Sequence, residues 1–326
     1  MAFQTERAKA QPADPERRRF IKFVALGAMA GLGAYALGSI PGLSSALRRS
    51  GESLVESQGI CLHDLDAGEE GKLVPAAAWL RSDVGSDGWA AISDYASGTG
   101  RKTLAILGQF ALWSAGLRAD SFSREDWRAA VLAAVKANPS SAAFEIWNEP
   151  LQNISGYQDG TPERYMEMLM DAHDIIRDNA PASLVVAGGG LQVYGPYADA
   201  SLAFAKSLAE LGAWEYCNAV SLHAYPYGEA SAGMAETYER NVRAYADTTG
   251  REIWISETGQ VSQYDQQAYM ETAYPALLRG GASKIFWYEL VDDTSGDFGL
   301  LTSSMEKKRA YDAYTRELGD LESLLR

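Results

Sequence analysis

The chain has 326 residues, 47% of them apolar and 22% charged, the composition of a globular protein long enough for one large domain or two small ones. Its formal net charge is −14. Residues 1–50 hold eight Lys/Arg against three Asp/Glu, a net +5, which leaves −19 on the remainder. No basic stripe exists to meet phosphates, which argues against nucleic acid as a partner.

The N-terminus reads as a targeting segment, set apart from the fold. Arg17-Arg18-Arg19-Phe20-Ile21-Lys22 precedes the apolar, Gly/Ala-rich run Phe23 to Ile40. That pattern resembles a twin-arginine export signal and implies a prokaryotic, exported protein. Cleavage sites are available at Ala28-Met29-Ala30 and at Ser44-Ser45-Ala46. Uncleaved, the run is just long enough to anchor the chain in a membrane. The expected division is residues 1–46 signal or anchor, 47–57 spacer, and 58–326 a single catalytic domain. Only Cys61 and Cys217 occur, each beside an apolar strand pattern, and both are expected as buried thiols rather than a disulfide.

Short apolar runs alternate with helical patterns along the rest. Strands are expected at Gly59–His63, Ala76–Val84, Lys102–Gly108, Ala143–Trp147, Leu184–Gly188, Ala219–Pro226, Ile253–Glu257 and Lys284–Leu290. Helices are expected at Trp89–Ser97, Ser123–Ala137, Pro162–Asn179, Ala200–Leu211, Glu236–Thr248, Gln266–Arg279 and Lys307–Leu325. Asp64 to Lys72 is too short for a full crossover helix. Eight such units in about 270 residues predict an α/β fold, a closed (β/α)8 TIM barrel. An open doubly wound sheet is the alternative, but its phosphate fingerprint is absent. Gly188-Gly189-Gly190 lacks that spacing and reads as a loop after strand five.

Two strands end alike. Phe144-Glu145-Ile146-Trp147-Asn148-Glu149-Pro150 runs from apolar residues into an amide, a carboxyl and a proline that stops the ladder. Glu252-Ile253-Trp254-Ile255-Ser256-Glu257-Thr258-Gly259 repeats the design 108 residues later. Two strand-end glutamates suggest the carboxyl pair of glycoside hydrolysis. Barrel chemistry sits at the C-terminal ends of the strands. The residues expected there are His63, Arg81, Asn148, Glu149, His223, Tyr225, Glu257 and Trp287, with Trp113 after strand three as a further subsite candidate. Glu145, inside strand four, reads as an ion-pair partner. Only three histidines occur, with no His-x-His or His-Glu-x-x-His, so a metal-dependent hydrolase ranks last and no cofactor or metal is expected.

Over residues 58–315 the ordered set resembles the retaining glycoside hydrolases of the (β/α)8 clan that includes families 5 and 39. Trp147-Asn148-Glu149-Pro150, Arg81, His223-Ala224-Tyr225, Glu257 and Trp287 carry it. Asp297-Phe298-Gly299-Leu300-Leu301 and Lys308-Arg309-Ala310-Tyr311 resemble the closing stretch of many members. Gln109 stands near the place where family 5 usually has a His. The resemblance implies Glu149 as acid/base and Glu257 as nucleophile, with Asn148 on the sugar 2-hydroxyl and Trp287 as the apolar floor. It also implies a cis peptide between Trp287 and Tyr288. Arg81 and the Tyr225 hydroxyl should hold Glu257 ionised, and His223 should orient Glu149 or a sugar hydroxyl. Retention requires the carboxyls only ~5–5.5 Å apart, against ~6.5–9.5 Å for inversion, and the short spacing is expected. The partner is then an oligo- or polysaccharide with β linkages. The competing reading is a cell-surface carbohydrate-binding barrel without turnover, or one that transfers sugar to sugar.

Overall fold

The computed structural model describes residues 54–65, 70–151 and 160–315. The expected export segment lies outside the described residues, as does the end of the expected last helix, which begins at residue 309. Eight parallel strands close into a barrel in sequence order. They are β1 (Gln58–Cys61), β2 (Trp79–Asp83), β3 (Lys102–Leu107), β4 (Ala143–Ile146), β5 (Leu184–Gln192), β6 (Ala219–Ala224), β7 (Glu252–Thr258) and β8 (Ala282–Trp287). β8 pairs with β1 through Phe286 and Gly59, which closes the ring.

Around it lie α1 (Trp89–Thr99), α2 (Gln109–Ser114), α3 (Arg124–Ala137), α4 (Pro162–Asn179), α5 (Ala198–Glu210), α6 (Ala232–Thr249) and α7 (Gln266–Gly280). Local chemistry sets their ends. Ser123 and Asp126 form a reciprocal capping box on α3. Thr161 caps α4 with Pro162 in its first turn. Ser231 caps α6 at the Met234 N–H, so that helix starts four residues before the expected Glu236. The short α2 was not expected. As the sequence implied, the described part of the connection between β1 and β2 holds no crossover helix, only a 3-10 turn at Glu70–Lys72.

Strand alternation divides the core in two. One buried residue from each strand meets inside the barrel: Cys61, Trp79, Leu104, Ala143, Val186, Ala219, Trp254 and Phe286. Small Ala143 and Ala219 offset the large rings, and Trp79 and Trp254 pack edge-to-face at 5.1 Å. A side chain at Gly59 would meet the Phe286 ring at 2.2 Å, so glycine there makes room for the layer. Residues of opposite parity, such as Ile60, Phe144, Leu222 and Ile255, join the larger core under the helices.

The glycine run departs from expectation. Gly188, Gly189 and Gly190 lie inside β5, not in a loop after it. All three have positive φ (103°, 57° and 78°), and the pairing with β6 shifts between Ala187 and Leu191. Only glycine adopts three such conformations in succession at low cost, so the residues that suggested a loop instead build a bulge. The cis peptide also differs. It falls at Tyr288–Glu289, one residue beyond the expected bond. Both cysteines are free and buried. Among the described residues, no helix is long and apolar enough to cross a membrane.

Candidate active site

Inward parity carries Arg81 up β2 from Trp79, Glu145 up β4 from Ala143, and His223 up β6 from Ala219. Glu257 does not follow that rule. Trp254 points inward, so simple alternation would send Glu257 outward with Ile253 and Ile255. The β7 register shifts against both neighbours, between Leu222 and His223 on one side and between Ile255 and Thr258 on the other. That bulge turns the Glu257 carboxyl into the barrel mouth.

Arg81, 3% exposed, is the hub. Its Nε donates to Glu145 Oε2 at 2.6 Å, its Nη1 to Glu257 Oε1 at 2.6 Å, and its Nη2 to Asn148 Oδ1 at 2.9 Å. One guanidinium thus fixes residues from β4, the loop after it, and β7. The Tyr225 hydroxyl donates to Glu257 Oε2 at 2.6 Å. Burial pushes the Glu257 carboxyl up. The facing His223, then Arg81, then Tyr225, outweigh it and hold the group below its ordinary value. Burial alone would depress His223, but Glu257 and Glu149 reverse that and raise it.

Glu149 is held from three sides. His223 Nδ1 lies 2.8 Å from its Oε1, and Gln192 Nε2 donates to the same oxygen at 3.0 Å. Its backbone is left-handed (φ 48°), as is that of Trp147 (φ 68°), and its N–H donates to the Gly189 carbonyl. The β5 bulge therefore presents the carbonyl that fixes the turn carrying Glu149. Gly190 gives His223 its place: a Cβ there would lie 2.2 Å from Nε2. One oxygen each of Glu149 and Glu257 and a nitrogen of His223 lie within 4.8 Å of one another. Both glutamates line an open cleft of about 580 Å³, with Gln192, Tyr227, Tyr288 and Phe298 on its walls.

The structure brings together Arg81, Asn148, Glu149, His223, Tyr225 and Glu257. The other candidates stand apart. Trp287 is fully buried, its ring against Tyr269 and its indole N–H on the Phe298 carbonyl, so it presents no face to a sugar. Outward parity from Phe286 puts it in the core, and the aromatic residue at the cleft is Tyr288, one position later. Trp113 is half exposed on α2 against Phe110 and is not among the residues that line the cleft with the two glutamates. His63 reaches the mouth but bonds the Tyr288 hydroxyl at 2.9 Å. Gln192 and the three glycines escaped the sequence reading, because nothing local marks them as facing Glu149 and His223.

The family model for cellulase (glycosyl hydrolase family 5) matches residues 103–289, more than half of the chain. The chain belongs to glycosyl hydrolase family 5. The matched span holds every site residue except Arg81 and His63. No curated protein sequence matches the chain. Among solved structures, it is similar to an exo-β-1,4-mannosidase from Opitutaceae bacterium strain TAV5 (TM-score 0.60, 14% identity). That match covers 82% of this chain and 60% of the mannosidase, so the chain spans less than two thirds of that protein. Fungal β-1,4-galactanases match at TM-score 0.60 and 12% identity over 80% of this chain and 99% of theirs. A β-glucuronidase of Bacteroides uniformis matches at TM-score 0.59 and 13% identity, over 81% of this chain and 35% of that one. At these identities the likeness concerns the barrel.

Proposed function

We propose that this family 5 barrel hydrolyses O-glycosidic bonds of a β-linked glycan or glycoside with retention of configuration, Glu257 acting as nucleophile and Glu149 as acid/base. The observation that carries the reading is the carboxyl spacing. Oxygens of Glu149 and Glu257 lie within 4.8 Å of each other, in keeping with the ~5–5.5 Å of retaining enzymes and short of the ~6.5–9.5 Å that inversion needs.

Each carboxyl is equipped for a different role. Glu257 is held ionised by Arg81 and Tyr225 and attacks the anomeric carbon. The glycosidic C–O bond breaks, the leaving oxygen takes the proton of Glu149, and a glycosyl ester forms on Glu257. His223 and Gln192 both engage Glu149 Oε1, which leaves Oε2 to deliver that proton. Once Glu257 is a neutral ester, its negative charge no longer faces Glu149. Glu149 then takes a proton from water, and the resulting hydroxide opens the ester. Asn148, its Oδ1 held by Arg81, keeps its amide N–H groups for the sugar 2-hydroxyl.

The test assays the parent chain against Glu257→Gln and Glu149→Gln across β-glucans, mannans, xylans, galactans and aryl β-glycosides. Glu257→Gln should lose turnover on every substrate. Glu149→Gln should lose polysaccharide cleavage but form the glycosyl-enzyme on aryl substrates with good leaving groups, and azide should restore turnover with a β-glycosyl azide product. Equal sugar release by parent and Glu257→Gln would refute the assignment. Export through Arg17-Arg18 belongs to the same proposal. Replacing both with Lys should keep the protein in the cytoplasm, and unchanged export would refute it.

A further inference from the structure

The cleft carries an aromatic ring that the proposed chemistry does not use. Tyr227, in the loop after β6, is 57% exposed and lines the cleft with Glu149, Gln192 and Glu257. A lone exposed ring needs no explanation, but this one is held in place. The Cβ position of Gly195, where φ is 79°, lies 1.9, 2.4 and 2.6 Å from the Tyr227 ring carbons Cε2, Cδ2 and Cζ. A point that close to three successive ring carbons stands over the face. The bare backbone of Gly195 therefore backs one face of the ring and leaves the other to the cleft. Tyr194 braces the ring at 6.4 Å between centroids, and itself packs edge-to-face on fully buried Tyr238 at 5.6 Å. The Gln260 amide donates to the Gly228 carbonyl at 2.8 Å, which ties the Tyr227 loop to the loop after β7.

The position of the ring points to the leaving group. Glu149 protonates the departing oxygen, so the sugar attached to that oxygen lies beside Glu149. Arg81 and Asn148, from β2 and the end of β4, face the sugar that stays on the enzyme. Gln192 and His223 hold Glu149 from β5 and β6, and Tyr227 stands on that same side. Burial, then the charge of Glu149, raises the Tyr227 phenol above its ordinary value, so the hydroxyl stays neutral. Glu149 and Glu257 are the only charged residues in the cleft lining, which holds no Lys or Arg. A uronate or sulfated sugar finds no cation there. A neutral pyranose offers an apolar C–H face that an aromatic face can cover.

We propose that Tyr227 is the floor of a binding site for a neutral pyranose on the leaving-group side of the cleaved bond, stacked on the ring face opposite Gly195. The proposal rests on the retaining-glycosidase reading. It narrows the substrate to uncharged β-linked chains that continue beyond the cleaved bond, rather than glycosides of small alcohols. Covering about 60 Å² of apolar face is worth about tenfold in binding. Because the ring is already seated, little of that gain is spent on ordering it.

The test compares two substrates of the same sugar, a β-1,4-linked tetraose and the β-glycosyl fluoride, whose leaving group is too small to reach the ring. Glucose, mannose, xylose and galactose series are run on the parent, Tyr227→Ala and Tyr227→Phe, with circular dichroism to verify folding. The ratio of kcat/KM on the tetraose to kcat/KM on the fluoride should fall at least about tenfold in Tyr227→Ala. Tyr227→Phe should keep the parent ratio, since the face and not the hydroxyl makes the contact. Gly195→Ala, which drives a methyl into the ring, should lower the same ratio and serves if Tyr227→Ala does not fold. A parent-like ratio in the folded alanine variant would overturn the proposal. So would a loss in Tyr227→Phe as large as in Tyr227→Ala, or preferred cleavage of a β-linked glucuronate tetraose. Failure of the glycosidase reading is distinguishable, because the parent would then hydrolyse neither substrate. Calorimetry of the tetraoses on the Glu257→Gln chain decides in that case. Adding Tyr227→Ala should weaken binding about tenfold, and equal or absent binding would overturn the proposal. Hydrolysis of the fluorides with neither cleavage nor binding of any tetraose would overturn it as well.

Discussion

Replacing Gly190 with alanine tests how the β5 bulge supports catalysis. Gly190 has φ 78°, where a Cβ costs about 1–2 kcal/mol. That strain alone lowers the melting temperature of a domain this size by roughly 2–4 °C. The added Cβ also falls 2.2 Å from His223 Nε2, so the imidazole must retreat by roughly 1.2 Å to regain an ordinary 3.4 Å contact. His223 is fully buried, and its Nδ1 holds Glu149 at 2.8 Å and faces Glu257 at 3.4 Å. A shift of about 1 Å at such a group costs about 10²-fold in turnover. Gly212 is the control, with the same φ of 78° but nothing within 4 Å of a Cβ. Gly212→Ala should show the strain alone, with activity intact. Gly190→Ala should lose about 10²-fold in kcat on an activated aryl glycoside and more stability than the control. Turnover within a few-fold of the parent in a folded Gly190→Ala protein would refute the claim that the bulge exists to seat His223.

Arg81→Met removes one cation from two buried carboxylates, Glu145 and Glu257, and should cost about 3–5 kcal/mol in denaturant unfolding. A loss under 1 kcal/mol would mean that the pairs are not what holds this region. Tyr225→Phe removes a hydrogen bond that favours ionised Glu257, so the Glu257 carboxyl rises toward its ordinary value. The acidic limb of the kcat/KM profile should then move to higher pH. Because the folded-state value is depressed, the stability it contributes is present at neutral pH and lost as pH falls through the folded value. The variant should show less of that acid loss, and an unmoved acidic limb would count against Glu257 as the group that must be ionised.

Eight strands in order, helices between them and two strand-end glutamates were legible in the sequence. Each is written locally: apolar runs set strands, caps such as Ser123 and Thr161 start helices, and Trp147-Asn148-Glu149-Pro150 marks one strand's end. Glu145 was legible as an ion-pair partner because a carboxyl inside a buried strand needs a cation. Which way a side chain points was less so, since a single inserted residue reverses the alternation. Counting from Trp254 would have turned Glu257 outward, and only the β7 bulge brings it to Glu149. Trp287 was placed in the cleft by resemblance, whereas the register of β8 gives that place to Tyr288. Gly188-Gly189-Gly190 shows the same division. Its composition stated that the backbone there is unusual. That the unusual backbone carries the Glu149 turn and the His223 ring was decided by the closing of β5 against β6, because contacts between residues tens of positions apart exist only once the barrel has closed.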